Sequence, residues 1–276
     1  MNIDVSNINL TLTEKKEIEQ LLKKQNLDIK DDLRQMWYLM DLVWDEFECD
    51  NKNLDWVRIS KFYSHPVWLL NGLFIEQHPV SMKHRHAISD WIVAKEFKKI
   101  LDYGGGYGTL ARLIAQKKPQ LEIFIYEPYP SVFGLKRIKE FKNIHIIDKI
   151  EERYDCLVST SVLEHLPDPL NEFEKMIKSV EIDGYLLIAN DFYPVIKCHL
   201  PQTFHLRYSF NLFARMMGLK IVGQLEDSPA IIYKKTQEIK PNRGEIRLFE
   251  KLSKTLFPAV EVLKPVLRKV LRAIFK

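Results

Sequence analysis

The sequence has few cysteines and lacks any long apolar run. Its 3 cysteines among 276 residues form no CxxC pair and are too sparse for a disulfide scaffold, which is typical of a reducing compartment. No apolar run reaches the roughly 20 residues that cross a bilayer. The first residues have no basic start followed by an apolar core, so no signal peptide is predicted. Together these absences indicate a cytoplasmic protein.

The sequence also lacks a strong overall charge. Its net charge of +4 is too small to indicate a nucleic-acid partner by itself. The charges are unevenly spread, because residues 1–60 hold 8 Lys and Arg against 13 Asp and Glu, whereas residues 233–276 hold 12 against 4. The acidic first part argues against a nucleic-acid substrate. The basic last part suits an acidic partner or an anionic membrane.

The hydrophobic pattern predicts three parts along the chain. Residues 1–83 are expected to form a helical cap without strands. Residues 84–237 alternate strands and helices with short links, which predicts an α/β fold: a Rossmann-like, mostly parallel sheet with helices on both faces and a closing antiparallel hairpin. Residues 238–276 predict a basic amphipathic helical tail, which Pro258 and Pro265 are expected to interrupt.

The cap is predicted to hold helices at about 12–25, 30–48 and 80–96, with an aromatic, Pro-broken segment between the last two. Four tryptophans of this region either belong to the core or line a pocket for a substrate: Trp37, Trp44, Trp56 and Trp68.

Glycine is scarce, yet 4 of the 10 glycines stand within five positions. They follow a predicted strand that ends near Asp102, and they precede a predicted helix. They are Gly104, Gly105, Gly106 and Gly108. Bare backbone at the carboxyl edge of an open α/β sheet lets a ligand approach closely, and the N-terminus of the helix favours an anionic group. A dinucleotide fingerprint would need a further glycine where Thr109 stands.

The pattern D-x-G-x-G-x-G, with its leading acid, resembles motif I of the class I S-adenosylmethionine-dependent methyltransferases. Other parts of that family's pattern follow in order, and the resemblance covers about residues 84–235. It implies that S-adenosyl-L-methionine is the cofactor and that the glycine loop holds its methionine end. Asp102 would help to bind the ammonium group, and Glu127 at the end of the second strand would bind the ribose hydroxyls.

The same resemblance assigns further residues to the cofactor. Asp148, after the third strand, matches the acid that commonly meets the adenine amino group. Tyr103 and Ser159 stand at strand ends beside the loop and are expected to join the cofactor site. The rings of Tyr103 and Tyr107 pack either over the cofactor or over the sheet. The stretch "LEHLPDP" after the fourth strand would cap the cofactor pocket and face the substrate.

Candidate catalytic bases are His165, His199 and His205, of which His165 and His205 are preferred. For His165 the alternative is that the ring fixes its loop through backbone hydrogen bonds. For His205 and Arg207 a substrate contact and a structural hydrogen bond both stay open, and Tyr193 is a further candidate for substrate binding. His199 is interpreted as structural or exposed.

The stretch "KHRH", residues 83–86, predicts no metal pair, because histidines at i and i+2 lie on different faces of a helix. It marks either the basic start of a helix near the cofactor or the acceptor, or a helix face exposed to solvent. No metal site is predicted from the sequence.

The leading functional hypothesis is methyl transfer to a small molecule or a glycan precursor, with the helical cap covering the acceptor. The alternatives are a non-catalytic scaffold or binding protein on the same fold and a nicotinamide-dependent oxidoreductase. Three alternatives stay open for residues 245–276: they bind a membrane surface, they dock another subunit, or they pack on their own domain.

Overall fold

The centre of the structure is a seven-stranded sheet. The computed structural model describes residues 1–6, 8–238 and 241–274, with side chains up to residue 263. The strands are β1 (Lys99–Tyr103), β2 (Glu122–Tyr126), β3 (Ile144–Ile147), β4 (Tyr154–Thr160), β5 (Val180–Ala189), β6 (Leu219–Gln224) and β7 (Ile231–Lys235). Their order in the sheet is β3-β2-β1-β4-β5-β7-β6. Strands β1 to β5 are parallel, and β6 and β7 form an antiparallel hairpin, so the predicted fold class is confirmed.

Helices cover the sheet and build the N-terminal cap. The cap contains α1 (Leu12–Lys23), α2 (Asp32–Glu46), α3 (Trp56–Tyr63), α4 (Val67–Gln77) and α5 (Pro79–Val93). The sheet is connected by α6 (Thr109–Lys117), α7 (Val132–Ile138), α8 (Pro169–Lys178) and α9 (Leu206–Met216), and α10 (Arg243–Ile274) follows it. Parallel neighbours need crossover connections, which α6, α7 and α8 supply. This arrangement brings the strand ends that follow β1, β2, β3 and β4 to one edge.

Apolar side chains fill both sides of the sheet. On one side, Phe173 of α8 and Phe213 of α9 pack with Tyr233 of β7. On the other side, Ile88 of α5 and Ile114 of α6 pack against strand residues. Burying each such side chain stabilises the fold by about 1.5–3 kcal/mol. The strands read as nearly continuous apolar runs because both of their faces are covered.

The cap has an apolar core of its own, which includes Met36, Val43, Phe62 and Leu70. A charged junction joins it to the sheet domain. Glu76 of α4 accepts a hydrogen bond of 2.8 Å from the Thr109 hydroxyl and pairs with the guanidinium groups of two arginines, Arg112 and Arg137. Burial opposes ionisation of Glu76, but the two arginines outweigh it and lower its pKa. The cap is therefore anchored on the helix that begins at the glycine loop.

Three expectations about element boundaries differ from the structure. The predicted border between residues 83 and 84 falls inside α5, so the cap and the sheet domain share that helix. The Pro-broken segment forms α3 and α4, because Pro66 stands at the start of α4, where a missing N–H costs little.

The predicted interruption of the tail by Pro258 and Pro265 is wrong, because α10 runs on from Arg243 to Ile274. Pro258 is exposed, so the carbonyl group that loses its helical partner can be hydrated. Among the described residues, no helix is both long enough and apolar enough to cross a bilayer.

Candidate active site

The glycine loop connects β1 to α6 in a backbone conformation that favours glycine. Gly104, Gly106 and Gly108 have φ angles of +72°, +53° and +67°. A Cβ atom at Gly104 would lie 2.4 Å from the Val162 side chain, so this glycine is needed for packing. A Cβ atom at Gly106 would have no neighbour within 4 Å. Gly106 therefore borders open space, where a ligand can approach the bare backbone.

Asp102 lies directly before the loop and is buried, with 3% of its surface exposed. Its Oδ2 has no hydrogen-bond partner among the described residues. Burial raises the pKa of Asp102 to about 7, although the largely buried guanidinium of Arg85 favours the ionised form. An unpartnered buried polar group costs about 1–3 kcal/mol. This carboxyl group thus fits a ligand that brings a cation or a hydrogen-bond donor.

A second unpartnered polar atom lies one strand away. Ser159 of β4 is fully buried, pairs in register with Tyr103 and has no partner for its hydroxyl among the described residues. Two buried polar atoms at the strand ends beside the glycines therefore lack hydrogen-bond partners among the described residues, which fits a site that binds a polar ligand.

Glu127 bridges the ends of the first two strands. One carboxylate oxygen accepts a 2.9 Å hydrogen bond from the N–H of Gly106, and the other accepts one of 2.9 Å from the N–H of Tyr129. A carboxylate can accept about four hydrogen bonds, so this one can still accept others. Asp148 is exposed directly after Ile147, the β3 residue that pairs with Tyr126 of β2. The two acids thus follow paired positions at the same sheet edge.

The two tyrosines beside the loop point away from it. The hydroxyl of Tyr103 donates to Glu172 of α8, and its ring belongs to the core on that side of the sheet. Its side chain therefore packs over the sheet, and only its backbone borders the loop. The ring of Tyr107 packs against Gly72 of the cap and against Phe133. Tyr107 thus joins the loop to the cap.

His165 lies in a short 3-10 helix, Leu163–His165, beside the end of β4. Its Nδ1 is 3.1 Å from the Cys198 carbonyl oxygen, so the predicted backbone hydrogen bond is present. Burial and the neighbouring His199 lower the pKa of His165 to about 3, which keeps the ring neutral. The rings of Tyr63 and Trp68 pack edge-on against it, with ring centroids 6.1 and 6.4 Å away. The cap thus contacts the ring of His165.

Two neighbours of His165 were not counted among the site residues. The ring of His199 lies 4.9 Å from that of His165 and is buried. Glu164 is also buried; one of its carboxylate oxygens accepts a 2.9 Å hydrogen bond from the N–H of Asp191, and the other has no partner among the described residues. Burial raises the pKa of Glu164 to about 7. The stretch "LEHLPDP" signalled Glu164, whereas His199 was considered as a base and interpreted as structural or exposed.

The contacts of His205 differ from those of this group. It is buried at the start of α9, and its Nδ1 is 2.9 Å from the hydroxyl of Ser253 on α10. The interpretation as a catalytic base has no support from these contacts. The physical reason is that α10 packs on this part of the domain, through the buried Ile246 and through polar contacts such as that of Ser253.

Arg207 and Tyr193 are neighbours, but they too contact α10 or each other. The guanidinium of Arg207 lies 3.6 Å from the centroid of the Tyr193 ring and donates to the Phe192 carbonyl and to Glu261 of α10. Its donors thus already have protein partners. The predicted substrate contact of Arg207 is not supported by this geometry, although Tyr193 keeps an exposed ring.

Comparison with known proteins agrees with this arrangement. A family model described as a methyltransferase domain matches residues 77–217, which is half of the chain. The chain belongs to this methyltransferase family. The match confirms the class I S-adenosylmethionine-dependent methyltransferase prediction, the enzyme class and the methyl donor. It disfavours the scaffold and the oxidoreductase.

Individual relatives of this methyltransferase are distant. It is 24% identical to a ubiquinone biosynthesis O-methyltransferase from Shewanella sp. (strain ANA-3). The alignment spans 151 residues and covers 50% of this chain and 64% of the relative. The protein of the same name from Aliivibrio fischeri (strain MJ11) is 25% identical over 149 residues, 50% of this chain and 63% of that one. The matched region thus spans less than two thirds of these curated relatives.

Two solved structures share the fold. PigF with SAH (S-adenosylhomocysteine) has a TM-score of 0.51 at 13% identity and covers 72% of this chain and 69% of its own. The CurJ carbon methyltransferase has a TM-score of 0.50 at 11% identity, and the match covers 82% of this chain and 68% of that one. At these identities the likeness concerns the fold.

Proposed function

We propose that this methyltransferase transfers a methyl group to an oxygen of a small molecule or a glycan precursor. The observation that carries the proposal is the pair of carboxyl groups at the glycine loop: the buried, unpartnered Asp102 and the bridging Glu127. The choice of oxygen is supported by the names of the curated relatives, which are O-methyltransferases.

The cofactor would lie over the glycine loop. Asp102 would accept hydrogen bonds from its ammonium group, and the nearby Arg85 suits its carboxylate. Glu127 would accept hydrogen bonds from the ribose hydroxyls, and Asp148 would lie near the adenine amino group. The Ser159 hydroxyl, which has no partner among the described residues, would form a hydrogen bond with the cofactor. When bound, S-adenosyl-L-methionine supplies a methyl group that is already activated by a sulfonium. The chain has to position the acceptor and exclude water.

The acceptor would lie between the cap and the end of β4. Tyr63 and Trp68 offer flat apolar surfaces there, and the ring of His165 is neutral, so it can accept a hydrogen bond from the hydroxyl of an acceptor. Its Nδ1 faces a carbonyl oxygen and therefore carries the hydrogen, which leaves Nε2 to accept that hydrogen bond and orient the hydroxyl.

The test is a labelling experiment. The protein is incubated with a metabolite extract and S-adenosylmethionine that carries an isotopically labelled methyl group, and the labelled product is identified by mass spectrometry. A labelled methoxy group on a small molecule or a glycan precursor is expected. A label on nitrogen or carbon would contradict the oxygen acceptor, and a label only on protein would contradict the small-molecule class.

The proposed contact of residues 245–276 with a membrane surface or another subunit has support in its described part. The inner face of α10 packs on the domain, since Ile246 is buried. The outer face carries exposed apolar residues three or four positions apart: Leu248, Leu252, Leu256, Val260 and Leu263. The side chains of Arg268, Lys269, Arg272 and Lys276, predicted to form the basic face, lie outside the described residues.

Two measurements separate these partners. Flotation with anionic vesicles, but not with neutral ones, would indicate a membrane surface, whereas a dimeric mass in light scattering without vesicles would indicate a second subunit. Leu252→Ser and Leu256→Ser together should weaken whichever contact exists. No vesicle binding and a monomeric mass would contradict both.

A further inference from the structure

We propose that Glu164, His165 and His199 form a binding site for a divalent transition-metal ion. The three side chains each offer one ligand atom, and these atoms lie within 4.8 Å of one another. Two imidazole nitrogens and one carboxylate oxygen are a donor set that suits Zn²⁺, Co²⁺ or Fe²⁺. The methyl transfer proposed above needs no metal, so the site goes beyond that function; with an ion bound, the Nε2 of His165 would ligate the metal instead of the acceptor hydroxyl.

Both histidine rings are oriented as metal ligands usually are. The Nδ1 of His165 is 3.1 Å from the Cys198 carbonyl oxygen, and the Nδ1 of His199 is 2.7 Å from that of Tyr193. A carbonyl oxygen only accepts, so each Nδ1 carries a hydrogen and each Nε2 keeps its lone pair. Ligating histidines commonly donate their other N–H to a backbone carbonyl in this way.

Glu164 supplies the anionic ligand and a second, independent observation. Its side chain is completely buried, and its Oε2 has no hydrogen-bond partner among the described residues. Its other oxygen is held by the N–H of Asp191, which fixes the carboxyl group. A buried carboxylate is costly unless it is paired or bound to a metal. A cation bound by this carboxyl group and the two rings would satisfy it.

The backbone around the three residues allows the small contraction that metal binding requires. Metal–ligand bonds of about 2.0–2.2 Å place ligand atoms about 3.4 Å apart. Glu164 and His165 share the short 3-10 helix, and the N–H of Leu200, next to His199, donates a 2.9 Å hydrogen bond to the Glu164 carbonyl oxygen. Side-chain shifts of about 1 Å would therefore close the site.

Three protein ligands leave open coordination positions. If the proposed function is correct, an oxygen of the methyl acceptor could take one of them and lose its proton more easily. The rival interpretation is a polar wall in which the two rings and the carboxyl group have only hydrogen-bonding roles.

Metal binding is tested on the full chain after treatment with a chelator. Zn²⁺ is titrated by calorimetry, and Co²⁺ is titrated by visible absorption. One equivalent of each is expected, with d–d bands for Co²⁺. Glu164→Gln, His165→Gln and His199→Ala should each weaken Zn²⁺ binding at least tenfold. Because His199 is buried, Glu164→Gln, which keeps the shape of the side chain, serves if His199→Ala does not fold.

Two control variants make the result specific. His145→Ala removes an exposed histidine that pairs with Glu122 and should leave Zn²⁺ binding unchanged. Glu127→Ala should weaken binding of S-adenosylhomocysteine by roughly 100-fold and keep the metal, so failure of the cofactor site and failure of the metal site are distinguishable. No stoichiometric binding by the unmodified chain, or Zn²⁺ affinity in all three ligand variants equal to that of the unmodified chain, would overturn the metal site.

Discussion

The carboxylate of Glu127 accepts a 2.9 Å hydrogen bond from the main-chain N–H of Gly106. This contact joins the end of β2 to the most open glycine of the loop after β1. It places an anionic acceptor of hydrogen bonds beside bare backbone, which is the arrangement that binding of a ribose next to the loop requires.

Replacing Glu127 should weaken binding of the cofactor without unfolding the protein. Hydrogen bonds to a charged group contribute about 1.5–3 kcal/mol each, so Glu127→Ala should lower the affinity for S-adenosylhomocysteine by roughly 100-fold. Calorimetry measures the affinity, and circular dichroism checks the fold. Glu151→Ala, which removes an exposed acid after β3, is the matched control. Equal affinity in the two variants would refute the ribose role.

Gly106→Val should block the cofactor more than it destabilises the protein. A Cβ atom there meets no neighbour within 4 Å, so the cost to the fold is the strain of a φ of +53°, about 1–2 kcal/mol. The new side chain would instead occupy the space of the ligand. Gly223→Val is the control, because its Cβ also meets nothing within 4 Å and its φ is not positive. The melting temperature measures the loss of stability, and calorimetry measures the loss of cofactor binding. Normal cofactor binding by Gly106→Val would show that the loop is not part of the cofactor site.

The affinity for the cofactor should depend on pH through Asp102. Burial raises its pKa to about 7, so below that pH the carboxyl group is protonated and cannot pair with an ammonium group. The affinity for S-adenosylhomocysteine should therefore rise by about tenfold per unit of pH well below 7 and level off above it. Asp102→Asn should bind weakly at every pH, with this dependence gone.

Stability should change in the opposite direction. The native state keeps the proton of Asp102 up to about pH 7, whereas the unfolded chain releases it near pH 4. The native state thus binds more protons between these values, and the free energy of unfolding of the free protein should fall as pH rises through them. Asp102→Asn should flatten this slope in urea titrations; the same slope in both proteins would contradict a raised pKa.

His205 and His165 should differ in what their loss affects. His205→Ala should lower stability by about 1 kcal/mol, because it removes the hydrogen bond to Ser253, and should leave the rate of methyl transfer unchanged. His165→Ala should lower that rate by about 100-fold, because the acceptor hydroxyl is no longer oriented, while cofactor affinity is kept. Urea titration measures the stability of each variant, and steady-state kinetics with the acceptor identified by labelling measure the rate of methyl transfer. A slower His205→Ala enzyme would restore the sequence-based interpretation of that residue.

The parts of the site that the sequence predicted are those encoded locally. Asp102, the glycines and Glu127 each stand at the end of a strand, and parallel pairing brings successive strand ends to one edge. His199 lies 34 residues after His165 in a loop that folds back, and no periodic pattern encodes that return. The contacts of His205 and Arg207 with α10 could not be predicted, because that helix begins at Arg243, far along the chain. Likewise, Pro66 predicted an interruption of helical structure, whereas it stands at the start of α4.

A crystal structure of the complex with S-adenosylhomocysteine tests the cofactor site most directly. The ribose hydroxyls should lie within hydrogen-bond distance of the Glu127 carboxylate, and the amino group should lie beside Asp102 over Gly106. A ligand bound elsewhere, or a saturated crystal with the space above the glycine loop empty, would contradict the proposed site.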